Sequence, residues 1–196
     1  MEIVFASRNK KKLQEVRRIL ADCPVTVLSL DEFPDCPEVV EDRDTFEGNA
    51  VKKAAAVAAY TGRLAFADDS GLEVTALNGA PGVYSARYAG EDADDVKNVQ
   101  KLLAEMSDVP DGQRAARFVC CIALAIPGDE VHTFWGFVDG TIAFQPRGEF
   151  GFGYDPVFYP AGYESTFAEM SAEQKDALSH RRKALEKLAQ YLKFIL

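Results

Sequence analysis

Phe66-Ala67-Asp68-Asp69-Ser70-Gly71 is the stretch whose reading decides the fold. An apolar run, Leu64 to Ala67, delivers two adjacent carboxylates; a hydroxyl, a glycine and a second apolar run, Leu72-Glu73-Val74, follow. The pattern predicts a strand that hands two acids to a tight bend, with Gly71 supplying the backbone freedom the bend needs. Side chains alternate along a strand, so Asp68 and Asp69 point to opposite faces unless the bend re-aims one. The hexapeptide alone reads equally well as an ordinary Asp-Ser-Gly turn. Its surroundings decide between the two.

Upstream, Met1 to Ala6 reads as a short buried strand, and Ser7 and Asn9 are good helix starters. The helix runs to about Ala21 with Leu13, Val16, Ile19 and Leu20 on one face. Lys10, Lys11 and Lys12 fall in its first turn, where free backbone N–H groups and the helix dipole suit an anion. A merely solvated lysine face fits the same residues. Val25 to Leu30 predicts a second strand. Asp31 to Asp44, broken by Pro34 and Pro37, is an acidic loop carrying Glu38, Glu41, Asp42 and Asp44. Asp44 with Glu47 resembles a capping box that opens a helix to about Tyr60. Phe46, Ala50, Ala54, Val57 and Ala58 are its apolar stripe, Asn49 and Lys53 share a face, and Gly62 stops it. Gly48 stands inside this helix at a cost of up to ~1 kcal/mol relative to Ala.

Downstream, Asn78 to Gly90 is a loop punctuated by Gly and Pro, and Glu91 to Asp95 give an acidic first turn. The helix that follows carries Val96, Val99, Leu102, Leu103 and Met106. Phe118 to Ile126 is a buried strand. Val131 to Val138 and Thr141 to Phe144 read as a hairpin about Asp139-Gly140. The glycine-aromatic loop Gly148 to Pro156 feeds a last strand, Val157-Phe158-Tyr159. Ser171 with Gln174 is a capping-box pattern, and Ser179-His180-Arg181-Arg182 begins a final helix with Leu185, Leu188, Leu192 and Ile195. With no repeat and no clear linker, the 196 residues form one domain, 1–196.

Composition narrows the partners. A hydrophobic share of 47% supports a real core, and a formal net charge of −9 argues against a general nucleic-acid binder. No apolar run approaches the ~20 residues of a membrane span, and no charged leader precedes Ile3. The four cysteines form no C-x-x-C pair, and with two histidines a zinc site is not expected. The expectation is a reduced, cytoplasmic protein without membrane or nucleic-acid partners.

An acidic chain that binds phosphate must gather its cations locally. Lys10 to Lys12, Lys52-Lys53, and Lys175 with His180-Arg181-Arg182 do so. Asp68-Asp69 and the Glu38 to Asp44 group supply oxygen donors for a hard cation such as Mg²⁺ shared with phosphates. The glycine-aromatic loop suits a stacked base. There is no P-loop, no dinucleotide-binding G-x-G-x-x-G turn, and no nucleophile elbow around Ser70.

Six pieces occur in order over essentially the whole chain. They are Ser7-x-Asn9-x-x-Lys12; Thr45-Phe46 with Asn49-Ala50-x-x-Lys53; Ala67 to Leu72; Gly79 to Arg87; Gly151 to Pro156; and Ser179-His180-Arg181. Together they resemble the inosine triphosphate pyrophosphatase family. The resemblance implies an elongated α/β fold, a mixed β-sheet with flanking helices in two lobes around a central cleft, and a homodimer. It implies Mg²⁺-dependent hydrolysis of ITP, dITP and XTP to the monophosphate and pyrophosphate. By the same resemblance Ser7, Arg8, Asn9, Lys10, Lys11, Lys12 and Lys53 line the triphosphate pocket, and Ser70 touches substrate. Asp69 is the general base and a metal ligand with Glu41. Phe152, Gly153, Tyr154 and Asp155 hold the base, while Lys175, His180 and Arg181 complete the nucleotide site and read the purine 6-keto oxygen. Runner-up readings are a phosphohydrolase of wider nucleotide range and a nucleotide-binding regulator without chemistry. The Asp68-Asp69 pair argues against the regulator.

Overall fold

Ile3, Val4 and Phe5 are wholly buried, and that places the first strand inside a sheet. The computed structural model describes residues 1–92 and 94–195. Ala93, which falls within the expected acidic turn, and Leu196, the last residue of the 1–196 reading, lie outside the described residues. Strand β1 (Glu2–Phe5) leads to helix α1 (Lys10–Ile19) and strand β2 (Thr26–Ser29). Helix α2 (Phe46–Thr61) and strand β3 (Ala65–Val74) follow, then α3 (Asp95–Glu105), β4 (Ala115–Ala125) and β5 (Val131–Ile142). The chain closes with β6 (Phe158–Pro160), α4 (Ala172–Leu178) and α5 (His180–Ile195). The six strands form one sheet in the order β2-β1-β3-β4-β5-β6. β1 pairs in parallel with β2 and β3, whereas β5 and β6 are antiparallel, so the sheet is mixed and the class is α/β.

The chain forms two compact units. The first comprises Met1–Asp69, Cys120–Gly136 and Arg181–Leu196. Its core gathers Ile3, Phe5, Val16, Phe66, Ile122 and Leu185, with the Phe5 and Phe66 rings stacked at 4.9 Å. The second comprises Ser70–Val119 and Phe137–His180. Its core gathers Leu72, Leu102, Phe118, Ile142, Phe158 and Phe167, with the Phe118 and Phe158 rings 4.6 Å apart.

Several local expectations are corrected. No tight turn interrupts the chain at Ser70-Gly71: β3 continues to Val74, because Phe66, Ala67, Leu72 and Val74 are all buried and one continuous strand buries both runs. The Leu72 N–H donates to Ser85 Oγ at 2.9 Å. Asp139-Gly140 makes no hairpin, and β5 passes through it. A Cβ on Gly140 would stand 2.2 Å from the Tyr159 carbonyl oxygen, so this glycine serves close approach of β6 and not a turn. The cap of α2 is Thr45, whose hydroxyl accepts from the Gly48 N–H at 3.0 Å, and not Asp44. Val96 and Ile195, expected on apolar faces, are exposed.

Candidate active site

Helix α1 begins where Asn9 accepts from the N–H groups of Lys11 and Lys12 at 3.0 and 3.1 Å. Those two donors, which the sequence offered to an anion, are therefore taken by the cap. Ser7 Oγ accepts from the Asn9 N–H at 3.2 Å, and Arg8 reaches back to the Cys36 carbonyl at 2.9 Å. Lys10 and Lys11 are exposed. Lys12, half-buried, turns inward, its Nζ 3.0 Å from Asp68 Oδ2.

Helix α2 contributes Asn49 and Lys53, four apart and both buried. Asn49 Nδ2 donates to Asp69 Oδ2 at 3.0 Å. Lys53 Nζ donates to Glu41 Oε1 at 2.5 Å and to the Asp68 carbonyl at 2.7 Å. Burial alone would lower the Lys53 pKa, yet the surrounding Glu41, Asp69 and Asp68 carboxylates raise it, so Lys53 stays charged. The close approach of Arg43 explains Gly48 in the first turn of α2, since a Cβ on it would meet Arg43 Cβ at 2.9 Å.

The two adjacent acids of β3 diverge in their partners. Asp69 takes Asn49, whereas Asp68 Oδ2 accepts from Arg181 Nε and Nη2 at 3.1 and 3.0 Å and pairs with Lys12. Burial pushes the Asp69 carboxyl up to about 6 and Glu41 adds to the rise, while Lys53, Lys12 and the Asn49 hydrogen bond oppose it. A carboxyl near 6 is poised to give and take a proton around neutral pH. Ser70 follows in β3, half-buried.

Glu41 and Asp69 both raise the Lys53 pKa, Glu41 from direct contact, so two carboxylates act on one ammonium. Among the described residues no group of three or more His, Cys, Asp or Glu could cage an ion. Mg²⁺ needs no such cage, because it takes one or two carboxylates together with substrate phosphates and water. The donor set fits that ion.

In the second unit, the buried Asp155 accepts from the Phe152 N–H at 2.8 Å and from Lys175 Nζ at 2.5 Å. Lys175 Nζ lies 4.5 Å from the centre of the Phe152 ring. The Gly153 N–H donates to Asp95 Oδ2 at 2.9 Å, and the buried Tyr154 hydroxyl donates to the Ser85 carbonyl at 2.8 Å. Asp95, Ser85 and Lys175 thus tie down the Phe152 to Asp155 part of the glycine-aromatic loop. The buried His180 ring stacks on Phe118 at 4.8 Å with an 8° interplanar angle.

Residues 3–191 match the Ham1 family. The chain belongs to the Ham1 family. Among Ham1 relatives, one from Desulforamulus reducens, named dITP/XTP pyrophosphatase, is 52% identical over 98% of this chain and 96% of its own. A Bacillus subtilis relative of the same name is 46% identical over 97% of this chain and 96% of its own. The solved Staphylococcus aureus Ham1 protein superposes with a TM-score of 0.89 at 44% identity over the full length of both chains. These matches bear out the family read from the six motifs and the α/β class.

Arg181 sits deep in the fold of this Ham1 family member. Arg181 was expected to face a purine keto oxygen. Arg181 is 1% exposed, and its guanidinium donates to Asp68 and, through Nη1, to Glu15 Oε2 at 2.5 Å. Glu15 escaped sequence reading altogether. It sits among the apolar positions of α1 and meets a partner 166 residues away, which no local pattern records. Asn49 was placed on the Lys53 face by helical spacing, but its bond to Asp69 was not legible.

Proposed function

We propose that the chain hydrolyses non-standard purine nucleoside triphosphates (ITP, dITP, XTP) to the monophosphate and pyrophosphate, using Mg²⁺. The observation that carries this reading is Asp69. It is a buried carboxyl raised to about 6, held by Asn49, beside Lys53 and Glu41, in a chain whose relatives are named dITP/XTP pyrophosphatases. Lys12 and Lys53 bind the phosphates, aided by the Ser7 to Lys11 turn, and Asp69 takes the proton from the attacking water. Glu41 and Asp69 would hold Mg²⁺. When bound, the ion neutralises phosphate charge and orients the reacting groups. Ser70 touches the substrate.

Phe152 stacks on the base, with Asp155 fixing its backbone and Lys175 placing an ammonium donor against the ring. A site rich in donors favours a 6-keto acceptor over an amino group, at about 1–3 kcal/mol per mismatched group. Lys175, His180 and Arg181 complete the nucleotide site and read the keto oxygen, with Arg181 also holding Asp68. All four cysteines are free thiols, which suits the cytoplasm. No described helix is long and apolar enough to cross a membrane. The partners are the small-molecule substrate and a second copy of the chain, not nucleic acid.

The test is a product assay with ITP, dITP, XTP, GTP and ATP plus Mg²⁺. The expected result is pyrophosphate with IMP, dIMP or XMP, and much slower loss of ATP. Release of orthophosphate and a diphosphate would sink the reading.

A further inference from the structure

We propose that Glu15 is a positioning residue that, through Arg181 and Asp68, sets where Lys12 stands for phosphate. This rests on the functional reading above, and it gives Asp68 a task distinct from that of Asp69.

Lys12 and Glu15 are three apart on α1 and so share a face. Lys12 Nζ pairs with Asp68 Oδ2 on β3, and the same oxygen takes two donors from Arg181 on α5. Arg181 Nη1 then returns to Glu15 Oε2 on α1. The contacts close a ring over three elements, α1 to β3 to α5 to α1. Its charges cancel, two negative and two positive.

Three members are sealed: Glu15, Asp68 and Arg181 are 2%, 1% and 1% exposed. The fourth, Lys12, is the one whose side chain reaches solvent, at 18%. Burying such a network is costly, and apolar replacements are often as stable, so architecture alone explains it poorly. What it does supply is a directed cation. With Glu15 charged, Arg181 is balanced and Asp68 has charge left to hold Lys12. Without that charge, Arg181 draws more fully on Asp68 and loosens its hold on Lys12. Asp68 also fixes Lys53 through its carbonyl, so one residue orients both ammonium groups beside Asp69.

The test is a double-variant cycle on dITP hydrolysis, with pyrophosphate binding measured by calorimetry as a second readout. Glu15→Gln, nearly isosteric, should fold and lose about tenfold in kcat/KM, mostly through KM. Glu15→Asp, which keeps the charge, should recover part of that loss. Lys12→Gln combined with Glu15→Gln should be little worse than Lys12→Gln alone, because both act through one ring. Pyrophosphate affinity should follow the same pattern. The proposal is overturned if Glu15→Gln behaves like wild type, if the two losses multiply, or if neither Glu15 variant folds. Coupling of pyrophosphate binding across the variants, in a wild type that hydrolyses no keto-purine triphosphate, sinks the functional reading alone. Activity without coupling sinks the Glu15 proposal alone.

Discussion

Asp69 carries the largest conflict between stability and chemistry. Its carboxyl titrates near 6 in the fold, pushed up first by burial, against an ordinary value of 3.8. A carboxyl raised in the native state holds its proton more tightly there than in the unfolded chain. Ionising it therefore costs stability, beginning above 3.8 and complete above about 6. In metal-free protein, Asp69→Asn should be more stable than wild type by about 1–3 kcal/mol at pH 8, with the gain vanishing toward pH 4. Urea unfolding in a chelator at both pH values checks this. The same variant should lose dITP turnover by about 10²–10⁴-fold. For wild type at low Mg²⁺, kcat/KM should climb as pH rises through about 6, and saturating Mg²⁺ should move that limb lower, because a cation favours the charged form. A flat profile from pH 5 to 7 would place the base elsewhere.

At the scale of elements, the caps and glycines make separable predictions. Thr45, not Asp44, closes the first turn of α2. Thr45→Ala should cost about 1 kcal/mol in thermal unfolding, and Asp44→Ala close to nothing. Helix propensity says Gly48→Ala should stabilise α2, whereas the 2.9 Å approach to Arg43 Cβ says it should not. The expected result is a loss of about 1 kcal/mol or more, read in the same melts. Gly140→Ala, forced against the Tyr159 carbonyl, should lose about 1–3 kcal/mol; a gain would restore the turn reading of Asp139-Gly140. Helices were the more legible elements because an apolar stripe and a cap are both local. The ends of β3 and β5 were misread for one reason. Glycine in a strand and glycine in a turn look alike until the neighbouring strand is known.

For the whole molecule, acidity and local cations have to be weighed together. A net charge of −9 repels polyphosphates at long range, so on the proposed function binding would depend on the half-buried Lys12 and the buried Lys53, which salt screens poorly. Large apolar side chains remain exposed in the second unit, Phe144 at 62% and Phe150 at 65%, and such surface is of the kind a second copy covers. Light scattering should give twice the chain mass, and a monomer at micromolar concentration would remove the homodimer from the reading.

The sequence by itself determined the α/β class, most of the helices, the family and the residue types of the site. Each of these rests on short-range patterns: periodicity, caps and ordered motifs. Only the tertiary structure decided which partners each acid meets. Asp68 and Asp69 are adjacent, and alternation along β3 predicts that they part but not whom they meet. Asp68 is claimed by Lys12 and Arg181, and Asp69 by Asn49. The Glu15–Arg181 pair joins positions 166 residues apart, and charge pairing at that separation exists only once α1 and α5 have packed.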